Sequence, residues 1–148
     1  MEEMSEEYFD IESKVNKYSK QLSDLLNAKP VKYSEWPNID KTTLSKSAGV
    51  YHFFECDGGN RSSLYVGKAG FGSSTWSLSK RLNQHFQVSQ KNALLGKIAK
   101  VSNQQPEEIK YSLCNREVFL QWLILCEADL VWTECFCKSI LMPKYTDA

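Results

Sequence analysis

The 148-residue sequence predicts an α+β fold: a small central three-stranded sheet, antiparallel or mixed, flanked by helices and preceded by an amphipathic N-terminal helix. Three observations carry this. Two short β-prone runs, at 49–55 and 63–66, flank Asp57-Gly58-Gly59-Asn60, which is hairpin turn chemistry. The aromatic and β-branched run 118–126 suits a strand buried on both faces. The remaining apolar residues recur at helical spacing.

The first helix is expected over residues 3–27. Tyr8, Ile11, Val15, Tyr18, Leu22 and Leu25 alternate at three and four residues, giving one apolar stripe. Ser5-Glu6-Glu7 suits its start, where acids meet the positive end of the helix dipole, and Pro30 lies just past its end. The stripe is short for an isolated coiled coil. It packs either on its own domain or on a second copy, as a homodimer. Three regions follow from this: the helix over 1–30, a connector over 31–48, and a main domain over 49–148. Trp36, beside Pro37, is expected to pin the connector to the domain.

After the hairpin, Leu78, Leu82 and His85/Phe86 fall on one side of a helix. Arg81 and His85, four residues apart, project from neighbouring turns of the same face. A short helix is expected at 92–101, and Pro106-Glu107-Glu108 reads as the first turn of another. The run 118–126 could instead open one long helix to Met142. A strand is favoured, because Asp129 can then cap a separate helix over 130–141 that carries Glu134 and ends at Pro143.

The formal charge of zero and a pI near 6.7 point to no partner by themselves, but the distribution is uneven. Residues 58–106 contain no acid, yet include Arg61, Lys68, Lys80, Arg81, Lys91, Lys97 and Lys100. Such a run is either a phosphate-facing surface or a solvated face with its counter-charges elsewhere. No apolar run reaches the ~20 residues of a membrane span, and the acidic N-terminus has no secretory character. The expected setting is therefore cytoplasmic, with the five cysteines as buried free thiols; Cys135-x-Cys137 lacks a second pair at zinc spacing.

Two tyrosines at a sheet edge, a lysine just past the second and an Arg/His pair on the next helix would all suit a phosphate. Arg81 offers a permanently charged fork for two phosphate oxygens. Glu134 offers a hard oxygen ligand for Mg²⁺ or Mn²⁺. Tyr51 and Tyr65 present hydroxyls, and a tyrosine base would need Lys68, Arg81 or a metal nearby. His85 reads as the easier proton acceptor at neutral pH. Singly, the tyrosines are ordinary strand aromatics and Arg81/His85 an exposed helix face. Glu127 is the competing carboxylate.

Taken in order, Gly49-Val50-Tyr51, Tyr65-Val66-Gly67, Arg81 with His85, and Glu134 nine residues before Pro143-Lys-Tyr145 resemble the GIY-YIG nuclease superfamily over roughly residues 47–146. Thr146 stands where the family usually has asparagine, and the interval between Tyr65 and Arg81 is longer than in compact members. The resemblance implies a one-metal endonuclease acting on DNA, restriction-like or accessory to DNA processing. Tyr51 would activate or position water, Arg81 would hold the phosphate and Glu134 the Mg²⁺ or Mn²⁺, with Tyr65, Lys68 and His85 in support. Lys80, Lys91 and Lys97, with Lys68 and Arg81, would contact nucleic acid. Gly49 and Gly67 would be structural, Gly67 because backbone or substrate passes close. The other readings are a non-catalytic nucleic-acid-binding module and a protein-interaction domain.

Overall fold

The structure, a computed structural model, describes residues 9–70 and 76–146. It is α+β, built on a four-stranded antiparallel sheet of order β1-β4-β2-β3. The strands are β1 (Val31–Lys32), β2 (Gly49–Asp57), β3 (Asn60–Ala69) and β4 (Val118–Ile124). The sheet thus has one strand more than the three expected. The extra strand is two residues of the connector, pairing Val31 with Leu120 and Lys32 with Phe119. Two residues carry no periodicity, so only the exposed edge of β4 makes them a strand.

The hairpin forms at the predicted turn. Gly58 and Gly59 both take positive φ, +56° and +92°, which the two-residue turn requires and other residues resist. Because the turn is tight, pairing runs to Asp57 and Asn60, beyond the apolar segments. The register shifts between Phe53 and Phe54, so Leu64 is the extra residue of a bulge on β3.

Alternation along β2 sends neighbouring side chains to opposite faces. Tyr51 and Phe53 enter the larger core, with Leu78, Leu82, Leu94, Leu95 and Leu120. Val50 enters the smaller one, with Leu22, Leu25, Val66, Leu130 and Cys137. Three helices supply residues to the larger core: α2 (Leu78–Gln84), α3 (Leu94–Ser102) and α4 (Pro106–Cys114). The other face is covered by α1 (Ile11–Asn27) and α5 (Glu127–Leu141). The acids after Pro106 form the expected first turn, where Glu108 closes a capping box with Gln105.

Helix α1 starts with Asp10, whose carboxylate accepts the Ser13 N–H at 3.2 Å; Tyr8 and the Ser5-Glu6-Glu7 start lie outside the described residues. Its stripe docks only in part on its own domain. Leu22 and Leu25 are buried, whereas Ile11 and Val15 remain 64% and 45% exposed. Polar contacts add to the docking, with Lys17 Nζ 2.8 Å from the Asp129 carboxylate and Gln21 bonded to both Asp129 and Thr133. Asp129 is therefore not the cap of α5. Cys126 occupies that position, and Asp129 lies in the first turn, where the helix dipole favours it.

A buried polar network fixes the end of α1. Gln121 Nε2 donates to the Leu26 and Ala28 carbonyls at 3.3 and 3.0 Å, so its Oε1 faces His52 Nδ1 at 2.9 Å. Of the five cysteines only Cys137 is buried, and Cys126 and Cys135 are exposed, correcting the expectation of buried thiols. Burial pushes the Cys137 thiol up to about 12. Among the described residues no helix is long and apolar enough to cross a membrane.

Candidate active site

The connector holds the helix that carries Arg81 and His85. Trp36 is 2% exposed and its indole N–H donates to Asn83 Oδ1 at 2.7 Å. Tyr33 Oη donates to the His85 carbonyl at 2.8 Å. The Ser77 side chain caps the N-terminus of α2, accepting the Lys80 N–H at 3.3 Å. Arg81 and His85 are thus fixed against β2 and β3 from both ends of a short helix.

A cavity of about 560 Å³ opens here, lined by Tyr51, Tyr65, Gly67, Lys68, Arg81, His85 and Glu134, together with Gln84, Gln90, Asn92 and Ala93. All six side chains expected to do chemistry line this one cavity. Lys80, Lys91 and Lys97 do not. Lys80 and Lys91 are exposed and Lys97 is half-buried. Glu127 is exposed at the start of α5 and does not line it.

Tyr51 and His85 form the buried end of the site, 2% exposed each. Tyr51 Oη lies 2.8 Å from His85 Nε2, and the Leu94 N–H donates to His85 Nδ1 at 2.9 Å. A backbone N–H can only donate, so Nδ1 is the unprotonated nitrogen and the neutral ring carries its proton on Nε2. His85 therefore donates to Tyr51 Oη. The expected role as proton acceptor is corrected, because the lone pair that would take a proton already holds the Leu94 amide.

Burial, and then the charges of Arg81 and Lys97, push His85 down to about 3. Burial, and secondarily Tyr65, holds the Tyr51 phenol well above its ordinary range, with Arg81 pulling the other way. Both groups are neutral at pH 7. Tyr65 lies against them, its ring 6.2 Å from Tyr51 at 11° and 4.7 Å from His85.

The low value at His85 has a consequence for stability. Between pH 6.5 and about 3 the unfolded chain binds a proton at this position that the folded chain excludes. The contribution is complete above pH 6.5 and is lost as pH falls, by up to about 1.4 kcal/mol per pH unit. Burial lowers His52 in the same direction. Urea unfolding between pH 7.5 and 4.5 should show stability declining on the acid side, with a visibly shallower decline in His85→Gln.

Gly67 is explained by the register. It pairs with Tyr51 across β2 and β3, and a Cβ there would lie 2.5 Å from Tyr51 Oη. The tyrosine, rather than passing backbone or substrate, occupies the space. At Gly49 a Cβ would lie 2.2 Å from the Leu123 carbonyl oxygen, so its role is the close pairing of β2 with β4.

Arg81 packs its guanidinium against Trp76 at 5.3 Å, and its Nη1 donates to Gln84 Oε1 at 3.4 Å. Its Nε is buried with no hydrogen-bond partner among the described residues. A buried N–H of a permanent cation without an acceptor is costly, and an incoming anion relieves that cost. Glu134 is 8% exposed. Lys68 Nζ lies 2.9 Å from its Oε1 and Lys138 Nζ 3.6 Å from its Oε2.

Among the described residues no three His, Cys, Asp or Glu side chains gather as a metal-holding group. Glu134 is the only carboxylate among the described residues that line the cavity. One carboxylate is a ligand set that Mg²⁺ or Mn²⁺ accept, because they keep most of their waters, although in the free chain a lysine faces each of its oxygens.

Thr146 does not line the cavity. Its hydroxyl accepts the Val66 N–H at 2.7 Å and donates to the Val66 carbonyl at 3.4 Å. Lys144 and Tyr145 donate their backbone N–H groups to the Ser63 and Leu64 carbonyls. The segment past α5 thus lies along the outer edge of β3, and a threonine supplies both the donor and the acceptor this position uses.

Sequence reasoning missed Trp76, Gln84, Gln90 and Asn92. Only Gln84, three residues after Arg81, carried a local signal of sharing its face. Comparison with protein-family models, curated proteins and solved structures finds no match for this chain.

Proposed function

We propose that this chain is a divalent-metal-dependent endonuclease of GIY-YIG type that hydrolyses phosphodiester bonds in DNA. One observation supports this above the others. Tyr51, Tyr65, Lys68, Arg81, His85 and Glu134, singled out by their order over more than half the chain, line a single polar cavity.

The chemistry divides among the residues. Arg81 takes the phosphate, its buried Nε–H and outer nitrogens meeting the oxygens on which charge gathers. Tyr51 orients the attacking water. Its oxygen accepts from His85 Nε2, leaving the hydroxyl hydrogen to donate into the cavity. Because burial keeps this phenol protonated, its role is orientation rather than standing as a free base. His85 is a positioning residue that acts through Tyr51. Lys68 adds positive charge beside the phosphate. Glu134 would hold Mg²⁺ or Mn²⁺, which when bound supplies Lewis-acid stabilisation of the leaving oxygen.

The decisive assay is incubation with supercoiled plasmid and Mg²⁺ or Mn²⁺, with and without chelator. Cleavage that chelator abolishes is the expected result. Open circles would come from one site acting alone, and linear product from two copies joined through the exposed Ile11 and Val15 face of α1. Plasmid left intact but bound in a salt-dependent way would replace this reading with a non-catalytic binding module.

Lys80, Lys91 and Lys97 act in nucleic-acid binding outside the cavity. Lys91→Glu with Lys97→Glu should weaken DNA binding and flatten its dependence on log salt, by about one unit of slope for each phosphate no longer neutralised. Single-turnover cleavage at saturating DNA should change far less. Fluorescence anisotropy over a salt series checks the first and quenched-flow cleavage the second. An unchanged salt slope would remove these lysines from the interface.

A further inference from the structure

The proposed cation site is blocked by the chain's own cations. The Glu134 carboxylate has two oxygens, and Lys68 and Lys138 lie against one each, at 2.9 and 3.6 Å. Arg81 lines the same cavity, and among the described residues no second carboxylate does. A divalent ion approaching the free protein therefore meets one negative charge already neutralised twice over, with a guanidinium nearby. At short range in a partly buried site such like-charge contacts outweigh a single carboxylate.

A phosphodiester changes that balance. It brings a negative charge into the cavity, gives Arg81 Nε the acceptor it lacks, and competes for the Lys68 ammonium. It also presents oxygens that suit Mg²⁺ and Mn²⁺, which are commonly held by one or two carboxylates together with substrate phosphate.

We infer that the cation site of this protein is incomplete without nucleic acid: Lys68 and Lys138 clamp Glu134 in the free chain, and the substrate phosphate releases the carboxylate while supplying the remaining ligand. This rests on the proposed nuclease reading for its substrate but on the Lys68–Glu134 geometry for its lock. Metal and DNA then bind with positive coupling, each tightening the other by the same factor. In the free protein Lys68 is a competitor of the metal, and in the complex it is a phosphate ligand.

The test uses Mn²⁺ itself, followed by the loss of the free-ion electron paramagnetic resonance signal, with no reliance on turnover. Free wild-type protein should bind Mn²⁺ at least about tenfold more weakly than Lys68→Gln or Lys68→Met, a difference of about 1.4 kcal/mol. Glu134→Gln should abolish the tighter binding. Adding a short phosphorothioate duplex, corrected for Mn²⁺ held by the duplex alone, should tighten wild-type binding by a similar factor and alter the Lys68 variants much less. Equal Mn²⁺ affinity in free wild type and both folded Lys68 variants overturns the clamp. Tighter binding in the Lys68 variants with no effect of duplex on wild type upholds the clamp and overturns the nucleic-acid half, along with the reading on which that half rests.

Discussion

Arg81→Ala protein should retain its fold and lose DNA cleavage by on the order of 10²–10³ in single-turnover rate, the usual cost of removing one preorganised electrostatic contact. The fold should survive because so little of the protein depends on this guanidinium. Its Nε has no partner among the described residues and its Nη1 makes one long bond to Gln84. Among the described residues, truncation leaves no buried group newly unpaired except the Gln84 oxygen, and it removes an unsatisfied N–H. Urea unfolding should therefore show Arg81→Ala no less stable than wild type within about 0.5 kcal/mol. Lysine should not rescue the rate, since a point charge cannot offer two forked donors and stacks poorly on Trp76. Glu134→Gln is the companion variant, expected to lose cleavage as severely. Cleavage at the wild-type rate by folded Glu134→Gln would remove this carboxylate from metal binding.

Gly67→Ala should lower cleavage by about 10²-fold, the scale on which a displacement near 1 Å in a catalytic constellation is felt. The added methyl would sit 2.5 Å from Tyr51 Oη and 2.6 Å from Cζ. The ring that must yield is 2% exposed and is held by His85, so movement breaks the 2.8 Å bond to Nε2. Overpacking of this kind costs typically 1–3 kcal/mol. Gly49→Ala provides the contrast. There the obstacle is the Leu123 carbonyl at 2.2 Å, backbone within the β2–β4 pairing that has no rotamer to give. Its larger effect should be on stability. Thermal unfolding beside single-turnover cleavage for both variants checks the division, and equal activity losses at equal stability would refute it.

Where local chemistry dictates structure, the sequence by itself determined the outcome. Asp57-Gly58-Gly59-Asn60 can form few turns other than the one observed, so the hairpin followed from it, whereas the bulge at Leu64 is what sets Tyr51 opposite Gly67. The Pro106 helix start rests on the same kind of short-range preference, whereas at 118–126 that preference left a strand and a long helix both open, and the strand formed over Val118–Ile124 by pairing with β1 and β2. The motif order that resembles the GIY-YIG superfamily named Tyr51, Tyr65, Lys68, Arg81, His85 and Glu134 as one set, and these six line one cavity.

What only the tertiary structure decided concerns partners distant in sequence. β1 exists because β4 has an edge to pair. Helix α1 buries only Leu22 and Leu25 of its described stripe and adds Lys17 and Gln21 contacts to Asp129 and Thr133, leaving Ile11 and Val15 exposed. His85 became a donor through the amide of Leu94, nine residues on, which no titration rule for an isolated histidine contains. Thr146 reached Val66 across eighty residues, and Glu134 received Lys68 rather than open water across sixty-six. Periodicity specifies which way a side chain points, whereas its protonation and its partner depend on what the rest of the chain brings within about 3 Å.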